Sequence, residues 1–343
     1  MTIPTPRGSA LLGFGHFQPS KVLTNHDIEQ LVDTNDEWIR TRTGITERRI
    51  ATDADDTTTM AVAAARMALA DAGLSDVDLV IVASTTSETR SPNGAARVSA
   101  ELGFAGPAVI DINTACSGFE YALALADQSI SAGVAETALV IGSETLSRIT
   151  DWTDRATCVL TADGAGAVVL GASETPQVSP VVWGSVPALA DAVVVEGTPP
   201  VFSQNGRNVM RWALTGSVKE ANRVLERAGL TMDDIDVLAF HQANLRIIEP
   251  LAKRHGATHC PEGHRGLRQH LGSLGPACPV QGLARRRTAA RRPGPALRLW
   301  RRIHLCRPGG APAAVGGGPW TASLALAALA ALAAPGPRQA PDP

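Results

Sequence analysis

The sequence predicts an α/β protein whose mostly parallel sheet is covered by helices, and three observations predict it. Apolar runs of strand length alternate with helix-like stretches through residues 1–172. Two of these runs, 77–83 and Ala108–Ile112, are nearly continuous, as strands buried on both faces should be. The composition is 44% hydrophobic and 19% charged but only 4% aromatic, so a globular core must close on small side chains.

In chain order, residues 10–15 read as a first strand. Residues 57–73 form an Ala-rich helix that stops at Gly73, a C-terminal helix signal. The strand 77–83 follows, then Ala108–Ile112, then a buried helix over 118–132. Strands over 137–142 and 166–170 complete a first half. Residues 173–204 are punctuated by Pro, Gly and Ser and read as variable. A helix over 218–229, a buried strand over 237–241 and a helix over 244–256 come next. The expected division is a first half at 1–172, an incomplete second half at 173–261 and a tail at 262–343.

The tail differs in kind. Residues 263–343 hold 12 of the 31 basic residues and one of the 33 acidic ones, so the body carries −13 and the tail +11. Arg-, Pro- and Gly-rich runs there follow neither helix nor strand logic. A body of this sign is not drawn to nucleic acid by its net charge. The cysteines at 116, 158, 260, 278 and 306 suggest neither a disulfide framework nor a zinc site. No basic-led apolar segment opens the chain, and the apolar run 324–334 is too short to span a bilayer. The expectation is a cytoplasmic protein with no metal, no nucleic acid and no membrane partner.

Four places carry chemistry. Cys116 follows a strand and opens a helix, where the helix dipole and unpaired N–H groups raise a thiol's nucleophilicity. On position alone, a small core cysteine is the better reading. His241 ends a strand, where α/β proteins place ligands, and an imidazole there could polarise a carbonyl or pair with a thiol. Alone, it reads more simply as a hydrogen-bonded structural histidine. Asp163-Gly-Ala-Gly looks like a turn leading into a strand, preceded by Asp154-Arg155. Trp38, beside Arg40 and Arg42, could stack a nucleotide base while guanidiniums hold phosphates, or could cap the core.

Taken together, Asp36-Glu-Trp-Ile, Arg42-Thr-Gly-Ile, Thr114-Ala-Cys-Ser-Gly-Phe, Asp163-Gly-Ala-Gly and His241-Gln-Ala-Asn-Leu-Arg-Ile-Ile resemble the β-ketoacyl-acyl carrier protein synthase III family of thiolase-like condensing enzymes. The resemblance spans about residues 11–257. It implies a thiolase-like fold, two related α/β halves in an α-β-α-β-α arrangement, and a homodimer. It implies that Cys116 takes an acyl group from acyl-coenzyme A. His241, with an Asn from a later motif, then promotes decarboxylation of malonyl-acyl carrier protein, and the carbanion attacks the acyl-Cys116 thioester. By the same carry-over Trp38 and Arg155 sandwich the adenine, assisted by Thr34 and Arg42. Gly206 and Asn244 line the pantetheine channel. Gln242, Ala243, Asn244, Leu245 and Arg246 face the carrier protein. No cofactor is implied beyond the coenzyme A thioester as substrate. A starter-unit enzyme of a polyketide pathway shares these features.

The resemblance breaks in the tail. The family's Gly-Asn-Thr-Ser segment and its Gly-Phe-Gly-Gly-Gly turn are absent. Codons permitted for residues 267–281, read one base later, spell S-G-N-T-S-A-A-S-V-P-L-A-L-S-K, and those for 297–303 spell F-G-F-G-G-G in the same frame. Two family motifs in order and in one frame point to a frame change before residue 262. An inactive product of a frame-shifted gene is thus a third reading, and a basic nucleic acid- or membrane-binding extension ranks below it.

Overall fold

The computed structural model describes residues 8–179, 181–239, 241, 244–254 and 282–285. Strand β1 (Gly8–Phe17) leads to a small antiparallel pair, β2 (Lys21–Thr24) and β3 (Glu47–Ile50), whose connection carries helices α1 (Asn25–Glu29) and α2 (Asp36–Thr43). Then come α3 (Thr57–Ala72), β4 (Leu79–Ala83), α4 (Gly94–Leu102), β5 (Ala108–Ile112), α5 (Gly118–Ser131), β6 (Thr137–Thr145) and β7 (Asp163–Ser173).

Five strands form one sheet in the order β1-β7-β6-β4-β5. β4 pairs in parallel with both β5 and β6, while β7 runs antiparallel to β6 and β1. The expected mostly parallel sheet is therefore half antiparallel. The cause lies between β6 and β7, where the chain makes only a 3₁₀ turn, Leu146–Ile149, and irregular backbone. A parallel neighbour needs a helical crossover, and an antiparallel one does not. The Asp163-Gly-Ala-Gly motif, expected as a turn, is the beginning of β7 itself.

Alternate residues of the central strands feed two helical layers. Leu79, Ile81, Val140 and Leu170 pack with Phe119, Leu123 and Ile130 of α5. Val80, Val82, Leu139 and Ile141 pack on the other face with Met60, Ala64 and Ala68 of α3 and Val98 of α4. Helix α3 starts where Asp56 and Thr59 cap each other reciprocally and stops at Gly73, whose φ of 70° is the left-handed conformation that ends a helix. Its alanines let β1 approach closely. A Cβ on Gly13 or Gly15 would run into the backbone of Ala68 or Ala64.

β5 corrects a second expectation. Its apolar run suggested burial on both faces, yet it is an edge strand whose residues are exposed or half-buried, with Ile110 42% exposed. An apolar run does not by itself tell a central strand from an edge strand.

Regular elements lie within the stretch 173–204 that reads as variable. A 3₁₀ segment, Pro187–Ala192, precedes a hairpin of β8 (Val193–Glu196) and β9 (Val201–Gln204). Phe202 anchors the hairpin on Leu146 and Ile149. Helix α6 (Gly206–Ala228) begins at Gly206 rather than at 218, because Asn205 caps it by accepting the Asn208 N–H. β10 (Ile235–Ala239) and α7 (Leu245–Arg254) follow, and residues 240, 255 and 256 of their expected spans lie outside the described residues. The tail was expected to contain no strand, but β11 (Gly282–Arg285) pairs antiparallel with β10. The shifted-frame motifs, Cys260, Cys278 and Cys306 lie outside the described residues.

Candidate active site

Cys116 sits between β5 and α5 in the 3₁₀ turn Ala115–Ser117, so the expected helix start is preceded by one tighter turn. Three features shape that turn. Ala115 has φ 49°, a left-handed conformation that costs a residue with a Cβ about 1–2 kcal/mol. Asn113 Oδ1 accepts the Ala115 N–H at 3.0 Å. The Ser117 hydroxyl and N–H both donate to Thr114 O. Gly118 permits the close approach to β4, since a Cβ there would sit 3.1 Å from that of Ala83. Cys116 is half-buried and in no disulfide.

Cys158 is a contrast. It is fully buried among Ile28, Ile39, Ile45 and Val159, and burial pushes its thiol up to about 11. It is the core cysteine that position alone suggested for Cys116.

His241 follows β10. Part of the residue reaches solvent, but Nδ1 is enclosed and has no hydrogen-bond partner. Burial holds the imidazole down to about 4, so it is neutral at neutral pH. A neutral imidazole can donate one hydrogen bond and accept another, as a group polarising a thioester carbonyl must.

Trp38 and the two arginines are brought together. Asn35 caps α2 by accepting the Trp38 N–H at 2.7 Å. The Arg42 guanidinium lies 4.4 Å and that of Arg155 5.1 Å from the Trp38 ring centroid, both within cation–π range. Arg155 also donates to Asp33 O at 2.8 Å. The inner edge of Trp38 packs on the core that contains Cys158, so the residue is both core rim and arginine platform. Thr34 Oγ1, one turn away, is buried with no partner.

Sequence reasoning missed what holds this corner. Arg48 is fully buried, donating to Asn25 Oδ1 and Val159 O at 2.5 Å each. Asn25 in turn donates to Asp36 Oδ1 and Ile45 O. Arg48 thus ties the start of α2 to the loop bearing Arg155. Burial lowers its guanidinium to about 10. In Glu-Arg-Arg-Ile it reads as a surface charge, and only alternation along β3 could have marked it as inward.

Gly206 opens α6 and lines a polar cleft of about 670 Å³ with Asp191, Gln204, Asn205, Arg207 and Arg211. Asn244 spends its side chain capping α7, accepting the Arg246 N–H at 2.9 Å. Leu245 is half-buried and Arg246 exposed. Helix α7 also packs against α2, the helix of Trp38. Gln242 and Ala243 lie outside the described residues. Among the described residues no helix is long and apolar enough to cross a membrane, and no cluster of His, Cys, Asp and Glu could hold a metal.

Comparison with known proteins adds sequence and fold likeness. Models described as 3-oxoacyl-[acyl-carrier-protein (ACP)] synthase III match residues 110–187 and, for its C-terminal part, 225–267. A β-ketoacyl-[acyl-carrier-protein] synthase III of Streptomyces avermitilis is 54% identical over 255 residues, covering 73% of this chain and 81% of that protein. The Aquifex aeolicus 3-oxoacyl-[acyl-carrier-protein] synthase III structure matches with TM-score 0.70 and 42% identity over 73% of this chain and 81% of the other. The priming β-ketosynthase of the R1128 polyketide pathway matches with TM-score 0.71 and 35% identity over 75% and 80%. With a reduced thiol on a strained turn, a neutral histidine at a strand end and this degree of identity, the chain belongs to the β-ketoacyl-acyl carrier protein synthase III family of thiolase-like condensing acyltransferases.

Proposed function

We propose that the chain condenses an acyl-coenzyme A starter with malonyl-acyl carrier protein, opening type II fatty acid synthesis. The observation that carries this is Cys116, set on a strained turn at the start of α5 in the motif Thr114-Ala-Cys-Ser-Gly-Phe. Its thiolate attacks the acyl thioester, and coenzyme A leaves as its own thiolate, which takes a proton. Malonyl thioester then loses carbon dioxide while neutral His241 donates a hydrogen bond to its carbonyl oxygen. The resulting carbanion attacks the acyl-Cys116 carbonyl, and the Cys116 thiolate is expelled. Backbone N–H groups at the turn stabilise the oxyanion.

Trp38 and Arg155 hold the adenine, with Arg42 and Thr34 beside them. The 5.1 Å between Arg155 and the ring implies that the guanidinium swings aside to admit a base. Gly206 and Asn244 line the pantetheine path, and residues 242–246 receive the acidic carrier protein. A homodimer covers β5, whose exposed Ile110 and edge position leave an apolar strand unpaired on one side. The setting is the cytoplasm, with no cofactor, metal, nucleic acid or membrane.

Likeness to the R1128 priming ketosynthase supports a second reading, starter-unit chemistry in a polyketide pathway. The test follows coenzyme A release and carbon dioxide together, on acetyl-coenzyme A and malonyl-acyl carrier protein. Release of both with a 3-oxoacyl product supports condensation. Coenzyme A without carbon dioxide supports acyl transfer alone. The chain as written and one restored to the S-G-N-T-S frame from about residue 262 are compared, because without that Asn the written chain should condense about 10²–10³ more slowly. Equal condensation by both would remove the frame-shift reading.

A further inference from the structure

Glu144, near the C-terminal end of β6, is a buried carboxylate that the proposed chemistry does not use. Its Oε1 accepts the Thr85 N–H at 2.8 Å, and its Oε2 accepts the Thr86 N–H at 3.0 Å and the Thr86 hydroxyl. Thr86 Oγ1 accepts the Thr145 N–H at 2.8 Å, locking the turn to the strand that carries Glu144. No basic side chain among the described residues forms an ion pair with it. Burial raises the carboxyl to about 7, against the pull of those donors. A carboxyl kept in so unfavourable a place holds something in position.

The contacts lead on to the nucleophile. The Thr85 hydroxyl donates to Asn113 Oδ1 at 3.3 Å. That same oxygen accepts the Ala115 N–H at 3.0 Å. Ala115 directly precedes Cys116 and, among the described residues, is the non-glycine with positive φ, at 49°. Such backbone persists only where its surroundings over-determine it.

We propose that Glu144 is a positioning residue for Cys116: it sets the Thr85–Thr86 turn, Thr85 orients Asn113, and Asn113 holds Ala115 in the left-handed conformation that aims the thiol. The proposal rests on Cys116 being the nucleophile. Glu144→Gln replaces one acceptor oxygen with an NH₂ that faces a backbone N–H. Thr85→Val removes the hydroxyl at constant shape, and Thr85→Ser keeps it.

The test measures, on folded full-length protein, the rate of Cys116 alkylation by iodoacetamide and the KM and kcat of acyl transfer from acetyl-coenzyme A. Circular dichroism and melting report the fold. Glu144→Gln and Thr85→Val are expected to lower alkylation and kcat about tenfold with KM changed less than twofold, and Thr85→Ser to restore both. Folded Glu144→Gln and Thr85→Val that alkylate and turn over at the parent rate would overturn the proposal, as would loss in Thr85→Ser equal to that in Thr85→Val. If Glu144→Gln does not fold, the two Thr85 variants decide. Failure of the nucleophile assignment itself is distinct, because the parent's own Cys116 would then resist alkylation and carry no acyl group.

Discussion

The five-stranded region up to Ser173 and the described residues that follow it bury their helices to different extents. In the first, α3 buries eight of its 16 residues against the sheet. In the second, α6 buries three of its 23, Ser217, Ala221 and Leu225, and leaves Trp212 37% exposed. Cys116 stands on the closely packed region, on a turn fixed by hydrogen bonds. His241 and α7 stand in the described part of the second, where fewer helix residues are buried. In the proposed reaction the closely packed half would hold the covalent intermediate, and the other would meet the macromolecular substrate.

The largest expected effect separates the two cysteines. Cys116→Ala should lower acyl transfer by at least about 10³-fold without lowering the melting temperature. Cys158→Ala should leave acyl transfer within twofold while costing about 1 kcal/mol, by loss of buried volume, in a urea titration. The reverse pattern would exchange their roles.

Glycines sharpen the comparison of packing. Gly15→Ala should destabilise by about 1–3 kcal/mol or more, because the methyl group meets the backbone of α3. Gly206→Ala has nothing within 4 Å of the new methyl group and should stay within about 0.5 kcal/mol of the parent. Urea midpoints of the two variants check this directly.

Much of this contrast is legible in the sequence, and where it is not the reasons are physical. The apolar run of β5 fixes its bounds but not its exposure, because periodicity does not distinguish a central strand from an edge strand. The sequence places helix α3 to within one residue, since its glycine stop is a local signal. The hairpin β8–β9 hid in a Pro- and Gly-rich stretch, because its anchoring on Leu146 is a long-range contact. Cys116 and His241 were visible through family motifs. Arg48 and Glu144 were not: each is a buried ionisable side chain whose hydrogen-bond partners are distant in sequence. A carboxylate two residues after Gly142, at the C-terminal end of a buried strand, is the signal that could have exposed Glu144.

Acidity distinguishes the regions again. His241 is held below its ordinary value, so its contribution to stability is present above about pH 6.5 and is lost as pH falls toward about 4. Glu144 is held above its ordinary value, so its contribution is present below about pH 4.5 and is lost as pH rises through about 7. The two slopes oppose each other, so His241→Asn should lower the slope of stability against pH between about 4 and 6.5, and Glu144→Gln should raise it between about 4.5 and 7. Chemical unfolding at half-unit pH intervals reads both slopes.

The smallest effect lies on the rim. Exposed Arg246 contacts an acidic carrier helix in this account, so Arg246→Glu should raise KM for malonyl-acyl carrier protein about fivefold and weaken its salt dependence, with acetyl-coenzyme A kinetics unchanged. Steady-state kinetics at two ionic strengths measure it.

The central claim is that Cys116 alone carries the acyl group. Folded protein is incubated with isotopically labelled acetyl-coenzyme A, quenched in acid, digested and mapped by mass spectrometry. The account predicts one acetyl group per chain on the peptide containing Cys116 and none on that containing Cys158. Label on Cys158, or an unlabelled Cys116 peptide from protein that releases coenzyme A, would contradict it.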